Sequence, residues 1–218
     1  MDSDRRMTAL AGALAVVGTV AGVLSVVPVL ETPGYLGLVA AHEGQVLGGA
    51  LAQLVMIPAT VGFALCLYPA LRRESAALGL GFVGFRLVAA TFHFAGVILL
   101  ALFLVPGLDD ALVGELLRTG RDLVNHVAVV VSLGLGDTLL FCVLHRARLV
   151  PRWLSVWGLA AAAPAVLASV LVLVGLTGVV TPLYLLMNAP LGVQSLVLAG
   201  WLIAKGFSPR TTATAVPL

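Results

Sequence analysis

Residues 77–105 read ALGLGFVGFRLVAATFHFAGVILLALFLV, a run of 29 positions with one formal charge, Arg86. A hydrocarbon core about 30 Å thick is crossed by roughly 20 helical residues at ~1.5 Å each, so this run spans with length to spare and carries an arginine inside it. Its limits have physical causes. Arg72-Arg73-Glu74 cannot sit cheaply in hydrocarbon, and Pro106-Gly107 removes an amide donor and allows a turn.

Working outward from it, five further stretches qualify, so that the predicted spans are 7–30, 46–69, 77–105, 123–144, 153–180 and 183–204. The first is too long for the ~7–15-residue apolar core of a secretory signal and is read as a retained helix. Pro28 and Thr32-Pro33-Gly34 end it, and Pro151 opens the fifth span at a first-turn position that tolerates proline. Between spans three and four, residues 108–121 (LDDALVGELLRTGR) place Leu112, Val113, Leu116 and Leu117 on one side behind Asp109 or Asp110 as N-cap. That pattern predicts a short helix in the interface plane. Residues 35–43 are a weaker instance. The expected fold is all-α, a bundle of six transmembrane helices in one domain over 1–207, followed by a disordered cytoplasmic tail at 208–218.

Composition agrees. The 218 residues are 61% hydrophobic and 10% charged, with mean hydropathy +1.12, against roughly 45–50% and about 25% for soluble domains. This excludes a cytoplasmic enzyme, a nucleic-acid-binding module and a disordered chain; the partner it implies is the lipid bilayer. Two cysteines, Cys66 and Cys142, make no disulfide framework.

Lysine and arginine set the orientation. Arg5, Arg6, Arg72, Arg73, Arg146, Arg148, Arg152, Lys205 and Arg210 fall at one set of span ends, and only Arg118 and Arg121 at the other. The alternation predicts both termini in the cytoplasm of a cell-membrane protein. Trp153, Trp157 and Trp201 then read as interfacial anchors. Gly18-x-x-x-Gly22 and Gly44-x-x-x-Gly48 would permit close helix approach.

The informative residues are the polar ones inside the spans. Counted from the cytoplasmic ends, Arg86 lies at ~13 Å and Asp137 at ~12 Å. Equal depth on adjacent spans predicts an ion pair, which Gln194, at ~16 Å, could cap. Gln53, His93 and Asn188 form a second layer at ~24–26 Å, with His126 at ~28 Å. His93 follows Arg86 by seven residues and His126 precedes Asp137 by eleven; at ~100° per residue both intervals return to the same helix face. Asp122 and His126, four apart, share that face.

Three readings compete. In the plainest, Arg86 and Asp137 are a buried staple and the histidines are hydrogen-bonded packing residues. In the second, Gln53, Arg86, His93, Asn125, His126, Asp137 and Asn188 line a cavity for a lipophilic small molecule. Asp137 would be its candidate acid and His93 or His126 the base or orienting group, as in a cyclase- or isomerase-like reaction. The third is a metal or bis-histidine haem site at His93 and His126, which lacks the three or four ligands zinc requires; no cofactor is expected. Phosphate-loop, nucleophile-elbow and zinc-protease motifs do not occur, and Gly79-x-Gly81-x-x-Gly84 falls inside a hydrophobic span with no preceding strand, so its glycines read as packing residues and not as a phosphate cradle. A proton-coupled transporter and a non-catalytic scaffold remain alternatives to ligand binding.

Several segments carry a family resemblance. Arg148-Leu-Val-Pro-Arg-Trp-Leu-Ser-Val-Trp-Gly158, Ala77-Leu-Gly-Leu-Gly-Phe-Val-Gly-Phe-Arg86, Gly44-Gln-Val-Leu-Gly-Gly49 and Trp201-Leu-Ile-Ala-Lys-Gly-Phe207 resemble a bacterial six-helix membrane family catalogued as a domain of unknown function. The resemblance covers roughly residues 7–207 and implies six spans but no activity. Where that family often has an acid three residues after the span-three arginine, this chain has Ala89, and its fourth span is unusually polar. Asp137 supplying the missing counter-ion from the next helix is one account; a chemistry particular to this chain is another.

Overall fold

The computed structural model describes residues 2–208, with side chains from residue 4; the tail expected to be disordered lies, from residue 209 on, outside the described residues. Helix α1 (Asp2–Leu24) is followed by a 3-10 turn (Pro28–Glu31), the short α2 (Tyr35–Val39) and a second 3-10 turn (Ala40–His42). Then come α3 (Glu43–Glu74), α4 (Ala76–Leu102), α5 (Ala111–Leu123), a π-helical turn (Val124–Val129), α6 (Val130–Arg146), α7 (Arg152–Leu173) and α8 (Pro182–Ala204). Six helical segments are long and apolar enough to cross a membrane, and among the described residues there is no strand. The chain is an all-α multi-pass membrane protein.

The differences from the expected spans are local and explicable. The first span ends at Leu24 rather than residue 30, because Ser25 Oγ donates to the Gly22 carbonyl (2.8 Å) and Val27, Val29 and Leu30 turn inward to a buried cluster. The fifth ends at Leu173 rather than residue 180, because Gly175 adopts φ +73°, a left-handed conformation glycine takes without penalty. Helix α3 continues through Pro58 and Pro69 to Glu74; packed neighbours make such prolines tolerable in membrane helices. Ser75 alone separates it from α4, whose first turn it caps by accepting from the Leu78 amide (3.4 Å). Asp110 caps α5, its Oδ1 accepting from the Leu112 and Val113 amides at 2.9 and 3.0 Å. Beyond α5 the chain runs on through the π-turn into α6 with no intervening loop.

The long helices close into a ring, each packing on the next in the order α1, α3, α4, α6, α7, α8 and back to α1. A main cluster including Phe63, Leu67, Phe82, Leu140, Phe141, Leu144, Leu154 and Leu202 fills one half of the bundle. A second cluster of Val27, Leu30, Val46, Ala50, Leu100 and Phe103 fills the region under the α1–α3 connection. Leu80, Ile98 and Leu186 are 61–72% exposed on the outer surface, as lipid-facing side chains are.

The α1–α8 seam is closed at two levels. At Gly12 the backbones approach so tightly that a Cβ would lie 2.6 Å from the Ala199 carbonyl oxygen. About two turns earlier, Arg5 donates to the last carbonyls of α8, Leu202 (3.1 Å), Ile203 (2.6 Å) and Ala204 (2.9 Å), a cation at the negative end of a helix. Of the two small-residue spacings, Gly18 and Gly22 do pack on α3, against Ala59 and Met56, whereas Gly44 and Gly48 meet nothing. Their neighbour Gly49 makes that close contact instead, against Val27 and the Ser25 carbonyl.

Candidate functional site

Arg86 on α4 and Asp137 on α6 form an ion pair through Nη2 and Oδ1. Both are nearly buried, with side chains 12% and 10% exposed. Two rings complete the surroundings of the cation: the guanidinium carbon lies 5.1 Å from the Phe63 centroid and 5.3 Å from that of Phe82. The rings meet each other edge to face at 5.9 Å. Phe82 precedes Arg86 by four residues and so shares its face; Phe63 comes from α3. One cation thus has a carboxylate from one neighbouring helix and an aromatic face from the other, an arrangement that compensates its removal from water.

The pair forms part of the wall of a half-open cavity of about 310 Å³ bordered by α1, α3, α4, α6 and α8. Leu14 to Gly22 on α1, Met56 to Phe63 on α3, Val130 to Phe141 on α6 and Asn188 to Leu198 on α8 supply most of the lining. Thr60 and Asn188 are its other notable polar groups: Asn188 donates its amide to the Tyr184 carbonyl within α8 (2.9 Å), leaving the side-chain oxygen available. The Thr19 and Ser195 hydroxyls are spent on carbonyls of their own helices, each at 2.9 Å.

Apart from Asn188, the residues of the second polar layer do not line this cavity. Gln53 donates to Asn125 Oδ1 at 2.5 Å, tying α3 to the π-turn. The tie rests against Gly96, where a Cβ would fall 2.5 Å from the Asn125 oxygen and 2.6 Å from the Gln53 nitrogen. His126 Nδ1 bonds Tyr184 Oη on α8 at 2.9 Å, and the two rings stand edge to face. His93 is 3% exposed, and neither ring nitrogen has a hydrogen-bond partner among the described residues. Gln194, fully buried, donates to the Leu154 carbonyl of α7 at 3.2 Å; it ties α8 to α7 rather than capping the Arg86–Asp137 pair.

The expected single polar cavity is therefore divided. Of its seven residues, Arg86, Asp137 and Asn188 line the space, while Gln53, His93, Asn125 and His126 do not. For His126 the cause is the π-turn. Eleven residues at ~100° would return His126 to the face of Asp137 only in a regular helix, and a π-turn closes its bonds over five residues instead of four, which sets the phase back by about one residue. His126 is thereby brought to Tyr184 rather than into the cavity. Tyr184, Phe63 and Phe82 are the residues sequence reading missed, although Tyr184 stands one turn before Asn188 and Phe82 one turn before Arg86. No group of three or more His, Cys, Asp or Glu side chains suited to a metal occurs among the described residues.

The segment 148–158 has structural tasks. Arg148 takes φ +52°, Leu149 and Val150 turn into the main cluster, and Ser155 bonds His145 Nδ1 of α6 at 3.1 Å. Gly158 leaves room for the Phe141 ring, which a Cβ would strike at 2.5 Å. A second buried charge lies near the start of span four: Arg121, 7% exposed, sits 3.9 Å from Glu31 and 3.5 Å from Asp122.

Residues 10–206 match the family described as a domain of unknown function, DUF4386, and the chain belongs to that family. No curated protein and no solved structure matches it.

Proposed function

We propose that this DUF4386 chain is a cell-membrane protein that binds a lipophilic small molecule in the cavity inside its helix ring, polar end against Arg86 and Asp137. The observation that carries the reading is a largely apolar space of about 310 Å³ with one ion pair in its wall, the combination of apolar lining and few polar groups that small-molecule sites share. Asp137 is the lining carboxylate, so proton exchange with a bound ligand falls to it, Arg86 holding the charge. His93 and His126, off the cavity wall, have at most a positioning role. The nine-to-two distribution of basic residues supports cytoplasmic termini; a cysteine at Arg148 should then be shielded from an impermeant thiol reagent applied outside, and one at Arg118 should react.

The binding reading is tested by photolabelling the protein in lipid nanodiscs with an alkanol carrying a diazirine on its chain. Adducts are expected at lining residues such as Leu14, Met56, Leu133 and Leu191. Gly192 lines the cavity, and a Cβ there meets nothing within 4 Å, so Gly192→Leu fills space without a clash and should suppress those adducts. Labelling confined to outward residues such as Leu80, Ile98 and Leu186 would refute the reading.

A further inference from the structure

We infer that the cavity selects an uncharged amphiphile, a hydroxyl group on a hydrocarbon chain, and rejects the corresponding anion; this rests on the ligand-binding reading above and specifies its ligand class. Arg86 and Asp137 are the ionisable side chains among the lining residues, and they neutralise each other. An arginine alone in an apolar wall would be a receptor for carboxylates or phosphates. Here the carboxylate of such a ligand would have to approach Asp137 in a medium of low dielectric, where like charges repel strongly. An ammonium would face the guanidinium in the same way.

The remaining polar capacity suits a hydroxyl, which both donates and accepts. Asn188 offers a side-chain oxygen once its amide is committed to the Tyr184 carbonyl. The ion pair uses one oxygen of Asp137 and one terminal nitrogen of Arg86, which leaves an acceptor and a donor at the wall. Size narrows the class further. A volume of about 310 Å³ is at the low end of the ~300–1,000 Å³ of ligand pockets, which suits a single short chain.

The experiment uses the wild-type protein in nanodiscs and two photoreactive probes of equal chain length, an alkanol and the matching alkanoic acid, at mildly alkaline pH where the acid is ionised. The alkanol should label the lining residues of segments 14–22 and 188–198, such as Leu14 and Leu191, at least about tenfold more than the acid, as expected from like-charge exclusion. Equal labelling, or a preference for the acid, would overturn the selectivity and leave binding intact. Absence of both probes from those segments would overturn the binding reading itself. Asp137→Asn removes the repelling charge while keeping the shape, and should raise acid labelling by about tenfold; an unchanged preference in a folded variant would remove Asp137 from this role. Should that variant fail to fold, the wild-type comparison decides alone.

Discussion

Removing one partner of the Arg86–Asp137 pair should cost far more than removing both. The side chains are 12% and 10% exposed, so either one left alone is a buried ion without its counter-charge, for which about 3–5 kcal/mol is typical. The two variants are not equivalent. Asp137→Leu leaves the guanidinium between Phe63 and Phe82 at 5.1 and 5.3 Å, contacts that retain about 0.5–1 kcal/mol each, so its loss should be about 2–4 kcal/mol. Arg86→Met strands a carboxylate with no such support and should lose about 3–5 kcal/mol. In the double variant both desolvation penalties disappear and packing replaces them, so it should lie within about 2 kcal/mol of wild type. Simple addition would have made it roughly 5–9 kcal/mol less stable. The assay is unfolding in mixed micelles with a rising fraction of anionic detergent, followed by tryptophan fluorescence and far-ultraviolet circular dichroism on all four proteins. A double variant that loses the sum of the single losses would refute the coupling. So would a neutral Asp137→Leu.

Three further outcomes follow from single contacts, each read as a thermal midpoint in detergent unless stated. Gly12→Ala places a Cβ 2.6 Å from a backbone oxygen of α8, which cannot swing away, and should cost about 1–3 kcal/mol; Gly48→Ala, facing nothing, should be neutral or stabilise by up to about 1 kcal/mol. Arg5→Ala frees three terminal carbonyls of α8 and should cost about 1–2 kcal/mol, with faster hydrogen exchange confined to the last turn of that helix. Tyr184→Phe removes the hydroxyl from His126 and should cost about 1–2 kcal/mol without changing photolabelling of the cavity, because that pair lies outside it.

The spans were legible because the signals that make them are local. An apolar run, a proline or glycine at its end and an aspartate at the next helix start are read from a few neighbouring residues, as Pro106-Gly107 and Asp110 illustrate. The Arg86–Asp137 pair was legible too, since depth is linear in residue number and both residues lie in regular helix. Phase failed for His126, where the helix is irregular, and for His93 a shared face with Arg86 did not suffice, because it lies about two turns away along α4. The turn at Val124–Val129 carries no proline or glycine to announce it, and it turns His126 toward Tyr184. Gln194 went astray for another reason: depth places a side chain on a level but not toward a neighbour, and ring order decided that α8 would bond α7 there.

That division of labour bears on why an ion pair is present at all. Gln53–Asn125, His126–Tyr184 and Gln194–Leu154 each join two parts of the bundle and have polar atoms in direct contact, which is what hydrogen bonding between membrane helices contributes. Arg86–Asp137 also joins two helices, yet α4 and α6 already pack along their length, and an apolar replacement of a buried pair is commonly as stable or more so. Its aromatic surroundings offset part of the desolvation without closing the pair off, for both residues still border the cavity. Packing alone would be served better by leucine and methionine at positions 137 and 86. A pair of charges kept beside such a space, where packing does not require it, is the physical ground on which the binding role is proposed, and the double variant that replaces both charges tests it: photolabelling of the cavity should change although the fold persists.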